Sequence, residues 1–347
     1  MTDLRSISRR AMLAGASALP FAPGLARAEE QQVVIATWGG DYANLLRDNV
    51  EVPVLTPQGI KVVQDIGDED PRVAKALAQR RLPRGTDDVL CLQAVRAHEL
   101  GDAGLLEPLD ATKVPNLAHV LPDLRNTFYA PHIFSQQVLV YNPNTVKNPP
   151  KRLTDLLDPK YKGKVGVGDI NYMYVMMACA LAATGDVNKV EAPATRELAM
   201  KLNANGLRLY PSTDSIGAGL KSGEIDVGLM WKARVVMWQN AGIPVAASFQ
   251  EEGTVLYISG MVVPKNAPNK AGAYRYLNAM LERGSQSRFA ERMGYQPTVD
   301  NSPLEGKVAE QLSLPAGVSK FFTPDYGITG PLQSSVSEWW KKNIQHG

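Results

Sequence analysis

The chain has 347 residues, of which 44% are hydrophobic and 21% charged, so it is long enough for two domains with sizeable cores. Four of its 37 basic residues and one of its 35 acidic residues lie before position 29, so the remainder carries a net charge of −1 although the whole chain carries +2. Since no basic surface is expected, a nucleic-acid partner is not predicted.

The first 28 residues predict a signal peptide. Arg9 and Arg10 precede an apolar run over 11–22, and the small residues Ala26 and Ala28 form an A-x-A site with cleavage after Ala28. The run is shorter than the roughly 20 residues that span a bilayer. The order Ser6-x-x-Arg9-Arg10 favours the twin-arginine route, and a Sec signal with two arginines is the alternative. We therefore expect export to the periplasm and a soluble mature protein.

After the leader, β-branched runs alternate with helical patterns, which predicts an α/β fold with parallel strands. The predicted strands cover 33–37, 59–63, 87–92, 137–143, 163–167, 207–210, 225–230 and 254–264. The predicted helices cover 71–82, 94–103, 170–184, 270–282, 285–293 and 332–344, and a short one ends near 223.

The order of these elements predicts two α/β lobes. The chain leaves the first lobe near 135 and returns near 256, along a run long enough to cross between lobes. Lobe 1 is expected over 29–135 and about 256–301, and lobe 2 over 136–255 and about 302–347. Two crossings make a hinge, and a cleft between lobes is a common place for small molecules to bind.

No pattern of a catalytic, metal or cofactor site is present in the sequence. The four histidines are scattered, and Gly166-x-Gly168 lacks the third small residue of a dinucleotide-binding loop. Neither an enzyme activity nor a cofactor or metal is therefore predicted. Cys91 and Cys179 both lie in apolar runs, which predicts buried thiols, although an oxidising compartment also permits a disulfide.

Two tryptophans suggest where a ligand binds. Trp38-Gly39-Gly40-Asp41-Tyr42 follows the first strand, and Trp231 follows the strand over 225–230. Open α/β sheets bind ligands at the carboxyl ends of their strands, and a tryptophan is a favourable wall for a cationic or planar ligand. A role for either tryptophan in a packed core is the alternative.

Many short segments, in order over the mature chain, resemble the periplasmic solute-binding proteins of ABC importers, in the group that includes the spermidine/putrescine-binding proteins. They include Trp38, Gly104-Leu105-Leu106-Glu107-Pro108-Leu109-Asp110, Leu157-Asp158-Pro159-Lys160-Tyr161-Lys162-Gly163-Lys164-Val165, Gly223-Glu224-Ile225-Asp226-Val227-Gly228-Leu229-Met230-Trp231 and Gly294-Tyr295-Gln296-Pro297. The resemblance implies a type II two-lobed fold and an ABC permease in the inner membrane as partner. We expect a monomer.

The resemblance also implies a ligand site that departs from a polyamine site. Trp38, Asp169, Trp231 and Tyr295 match positions that line the family's cleft, and Tyr257 stands where the family has another aromatic. Ser259 and Tyr172 replace two acids of the family, and Gln93 and Val95 replace a serine and a tyrosine. The predicted ligand-binding residues are Trp38, Gly39, Tyr42, Gln93, Asp169, Tyr172, Trp231, Arg234, Tyr257, Ser259 and Tyr295.

The charges leave two ligand classes open. Asp169 alone is too few carboxylates for a polyamine, because an unpaired buried ammonium costs several kcal/mol. Asp41, Asp65 or Asp214 are further candidates. If Lys232 or Arg234 faces the cleft, a carboxylate and hence a zwitterionic ligand is favoured; otherwise both belong to a solvated helix start. A transport receptor for a small amine-bearing solute is the expected function, and a periplasmic sensor or enzyme on the same frame is the alternative.

Overall fold

The computed structural model describes residues 31–314 and 320–346. Its strands are β1 Gln31–Thr37, β2 Ile60–Ile66, β3 Val89–Gln93, β4 Ala130–Tyr141, β5 Val165–Gly168, β6 Arg208–Tyr210, β7 Val227–Trp231, β8 Ala246–Ser248, β9 Thr254–Val262, β10 Gln296–Pro297 and β11 Phe321–Phe322. Its α-helices are α1 Gly40–Leu46, α2 Glu69–Gln79, α3 Ala94–Asp102, α4 Tyr172–Thr184, α5 Pro193–Ala204, α6 Thr213–Ser222, α7 Lys232–Asn240, α8 Lys270–Met280, α9 Arg283–Met293, α10 Gly306–Leu312, α11 Tyr326–Thr329 and α12 Gln333–Trp340.

The sheet consists of two parallel blocks joined by two long antiparallel strands. Its strand order is β2-β1-β3-β9-β4-β7-β5-β6. Strand β4 pairs with β9 through residues 130–136 and with β7 through residues 137–141. One continuous strand therefore carries the chain from the first block to the second, close to the predicted crossing at 135. The return is made by β9, which pairs with β3 and β4 and whose side chains are nearly all buried.

Two large clusters of buried apolar side chains flank these crossing strands. The first surrounds β1, β3, the first half of β4, and helices α8 and α9. The second surrounds the other half of β4 with β5, β7 and α4. Helix α4 is apolar on every side because it is enclosed, and Met173–Leu181 are all buried. Tyr257 on β9 packs against both clusters. We propose that they are the cores of the two lobes.

The predicted strands are confirmed with small shifts at their ends, except that β4 begins at Ala130 and not at 137. Helices α1, α5, α7, α10 and α11 were not predicted, nor were the short strands β8, β10 and β11. The expectation of buried thiols is confirmed, since Cys91 and Cys179 are buried and unbonded. The predicted signal peptide lies outside the described residues. In the described part of the chain, no helix combines the length and hydropathy needed to cross a membrane.

Candidate functional site

A cavity of about 540 Å³ lies where the two apolar clusters meet. Eight of the predicted ligand-binding residues line it, namely Trp38, Gly39, Tyr42, Gln93, Trp231, Arg234, Tyr257 and Tyr295. The other residues that line it are Gly40, Asp41, Ile133, Ile170, Asn171, Thr213, Asp214 and Met293. Most of these positions follow the carboxyl end of a strand, as expected for a ligand site in an open α/β sheet.

The turn after β1 forms one wall of the cavity. Gly40 has φ +64°, a left-handed conformation that suits glycine and lets α1 begin directly after the strand. The rings of Trp38 and Tyr42 then meet edge to face, with centroids 5.3 Å apart. The Tyr42 hydroxyl lies 2.8 Å from Nδ1 of His132. Because burial lowers the pKa of His132 to about 3, this imidazole is neutral and supports the wall without adding charge.

A second part of the cavity wall is a row of aromatic rings on separate elements. Trp231 ends β7 and packs edge to face on Tyr174, at a centroid distance of 4.7 Å. Tyr257 follows at 5.0 Å from Trp231, and Tyr295 at 6.1 Å from Tyr257. Tyr295 is placed by Gly294, which ends α9 at φ +68° and where a Cβ atom would come within 2.9 Å of Val236. This wall can stack on an alkyl chain or hold an ammonium group.

Only one of the two neighbouring basic residues at the start of α7 faces the cavity. The half-buried side chain of Arg234 lines it. Lys232 is 6% exposed and donates a hydrogen bond to the backbone carbonyl of Ser313. Burial lowers the pKa of Lys232 to about 8. Of these two residues, only Arg234 therefore adds positive charge to the cavity wall.

Of the three further acidic candidates, two line the cavity and one does not. Asp41 and Asp214 line the cavity and are exposed, each in the first turn of a helix. Asp65 does not line it, because its carboxylate pairs with Lys75 at 2.7 Å. In the described residues no group of three or more His, Cys, Asp or Glu side chains is arranged to hold a metal ion.

Three predicted ligand-binding residues lie elsewhere, and their expected positions are corrected. The carboxylate of Asp169 accepts hydrogen bonds from Trp340 Nε1 at 2.8 Å and Gln345 Nε2 at 2.5 Å, so it anchors the C-terminal helix. The Tyr172 hydroxyl donates to the backbone carbonyl of Gln333 at 3.3 Å. Ser259 is fully buried and donates to the carbonyl of Leu92 at 3.1 Å. None of the three lines the cavity.

Several residues of the cavity were not predicted. Ile170 and Asn171 follow β5, and Thr213 follows β6, so the strand-end rule applied to every predicted strand would have found them. Ile133 lies within β4 and Met293 ends α9. No local pattern distinguishes those two from ordinary core residues.

A family model described as bacterial extracellular solute-binding protein matches residues 58–316. The chain belongs to this family. A spermidine/putrescine-binding periplasmic protein of Escherichia coli (strain K12) is 25% identical over 68% of this chain and 70% of its own length. The putrescine-binding periplasmic protein PotF of the same strain is 27% identical over 85% of each chain. The solved structure of the Atu4243–GABA receptor is 20% identical and has a TM-score of 0.81, over 91% of this chain and 99% of that one.

These matches confirm the predicted two-lobed α/β fold of this solute-binding protein. The family match also confirms the expected role as an extracellular solute-binding protein. The two relatives from Escherichia coli are named as periplasmic proteins, which agrees with the expected location. The family consists of transport proteins that bind a substrate.

Proposed function

We propose that this protein captures a small amine-bearing solute, polyamine-like or zwitterionic, in the cavity between its lobes. It then delivers the solute unchanged to an ABC permease in the inner membrane, and it acts as a monomer without cofactor or metal. The observation that carries this proposal is the cavity lined by aromatic rings from both apolar clusters. Closure of two lobes around a ligand is a common motion in proteins of this shape.

The composition of the cavity supports binding over catalysis. Its walls carry Trp38, Tyr42, Trp231, Tyr257 and Tyr295, which offer stacking surface and hydroxyl groups. The nearby imidazole of His132 is buried and held neutral, so it is poorly placed to exchange a proton with a ligand. Both thiols are buried, and burial raises the pKa of Cys91 to about 11, which suppresses the reactive thiolate.

The proposal is tested by titrating the mature protein with a library of amines and amino acids while following tryptophan fluorescence. Trp38 and Trp231 line the cavity, so ligand binding should change the emission. We expect saturable binding near micromolar, about −8 kcal/mol, with the ligand recovered chemically unchanged. Chemical conversion of the bound compound would refute the proposal in favour of an enzyme.

A further inference from the structure

Arg234 occupies a position that the fold itself does not favour. It lies in the first turn of α7, where the helix dipole disfavours positive charge, and that turn contains no acidic residue. Lys232 stands in the same turn. Its ammonium is bound by the carbonyl of Ser313, whereas the side chain of Arg234 is directed to the cavity. The positive charge of Arg234 therefore does not stabilise helix α7.

The guanidinium of Arg234 also lacks an anionic partner within the protein. Its hydrogen bond is to the Met237 thioether at 3.6 Å, and sulfur is a weak acceptor. Among residues 31–314 and 320–346, no carboxylate forms an ion pair with it. The hydroxyl of Tyr295 lies beside the guanidinium and adds a further polar group to this corner of the cavity. Unused guanidinium donors at a half-buried cavity wall are suited to a carboxylate or a related oxyanion.

The carboxylates that a polyamine needs are not gathered in this cavity. Asp169 is bound by Trp340 and Gln345, and Ser259 and Tyr172 stand where the resemblance leads one to expect acids. Asp41 and Asp214 are exposed, and each also stabilises the start of its own helix. A further carboxylate, that of the half-buried Glu69, accepts a hydrogen bond from the backbone N–H of Gln93 and is not among the groups that line the cavity. The second ammonium of a diamine would thus lie near the unpaired charge of Arg234 without a buried carboxylate among the lining residues to offset it.

We infer that Arg234 forms an anion subsite, and that the solute of this receptor is a zwitterion with an amine several bonds away from a carboxylate. The carboxylate binds in the corner formed by Arg234 and Tyr295, and the alkyl chain lies along Trp231 and Tyr257. The ammonium group is held by the carboxylates of Asp41 and Asp214, since the ring of Trp38 already carries the guanidinium of Arg72 at 5.1 Å. This inference rests on the proposed function, because it specifies the ligand class of the same cavity.

The test compares matched ligands by isothermal titration calorimetry on the wild-type protein. γ-Aminobutyrate and 5-aminovalerate are each paired with the diamine of similar length, putrescine and cadaverine. We expect each amino acid to bind at least tenfold more tightly than its diamine. Tighter binding of the diamines would overturn the inference and leave the receptor function intact. If no compound of either series binds, both the inference and the proposed ligand class of the receptor fail.

Three variants then assign the effect to the guanidinium. Arg234→Met keeps a similar apolar stem and should weaken amino-acid binding at least tenfold, while diamine binding stays equal or improves. Arg234→Lys keeps the charge but loses the bidentate hydrogen-bond donor of the guanidinium. Its affinity for the amino acids should lie between those of the wild type and Arg234→Met. Arg81→Met removes an exposed arginine outside the cavity and should change neither series. Thermal unfolding checks that each variant is folded. Unchanged amino-acid affinity in folded Arg234→Met would overturn the inference.

Discussion

The buried ammonium of Lys232 should make the stability of this protein depend on pH in the alkaline range. The side chain is 6% exposed, lies over the Phe249 ring at 5.5 Å, and donates to the Ser313 carbonyl. Burial lowers its pKa from 10.5 to about 8. Between pH 8 and 10.5 the unfolded chain therefore binds more protons at this residue than the folded protein does. The contribution of Lys232 to stability must then rise with pH across this window.

The magnitude follows from the same two values. Since each pKa unit corresponds to about 1.4 kcal/mol, burying charged Lys232 costs about 3 kcal/mol below pH 8, and this cost is relieved by pH 10.5. Lys232→Met removes the charge and keeps the length of the side chain. We expect the free energy of unfolding of the wild type to rise relative to that of the variant by about 2–3 kcal/mol between pH 7 and pH 10.

Urea unfolding followed by tryptophan fluorescence at pH 7, 8.5 and 10 measures this difference. All other titrating groups are common to both proteins, so their contributions cancel. Lys221→Met, which removes an exposed lysine of α6, serves as the control and should show no change in its difference from the wild type with pH. A constant difference between Lys232→Met and the wild type over this range would refute the reasoning.

Three further outcomes are expected. Trp231→Ala should weaken ligand binding at least tenfold, about 1.4 kcal/mol, and an unchanged titration would show that Trp231 is only a core residue. Asp169→Asn should lower the free energy of unfolding by about 1–3 kcal/mol, because it weakens the hydrogen bonds to Trp340 and Gln345. Ligand affinity should stay within twofold of the wild type. A tenfold loss of affinity in calorimetry would place Asp169 in the binding site. Gly294→Ala should lower the melting temperature, because φ +68° and the contact with Val236 both oppose a Cβ atom; an unchanged temperature in a calorimetric scan contradicts this.

The parts of the fold that the sequence predicted are those with a strong local pattern. The run over 254–264 is β-branched and long, and it became β9, the returning strand of the hinge. Helix α4 was predicted from the strongly apolar run over 170–184, and in the structure Gly185 ends it in a left-handed turn. Helix α7 was missed because its charged and apolar residues show almost no one-sided pattern, since both sides of the helix are packed.

A residue of the cavity could be predicted from the sequence when it directly follows a strand. The position of a side chain could not be predicted when it is bound by a group distant in the sequence. Trp38 and Trp231 belong to the first kind. Asp169 belongs to the second, because the groups that bind it lie more than 170 positions along the chain. Ser259 is bound to a carbonyl 167 positions away. The orientation of Lys232 was likewise decided by Ser313, a residue that no local pattern connects to it.

The position of β9 in the sheet also has a consequence for biogenesis. It separates β3 from β4, yet it is synthesised more than 110 residues after β4. Until residues 254–262 leave the ribosome, the apolar edge of β3 at Leu90, Cys91 and Leu92 has no strand to cover it. A nascent or truncated chain that ends before β9 thus presents an open strand edge, which favours aggregation.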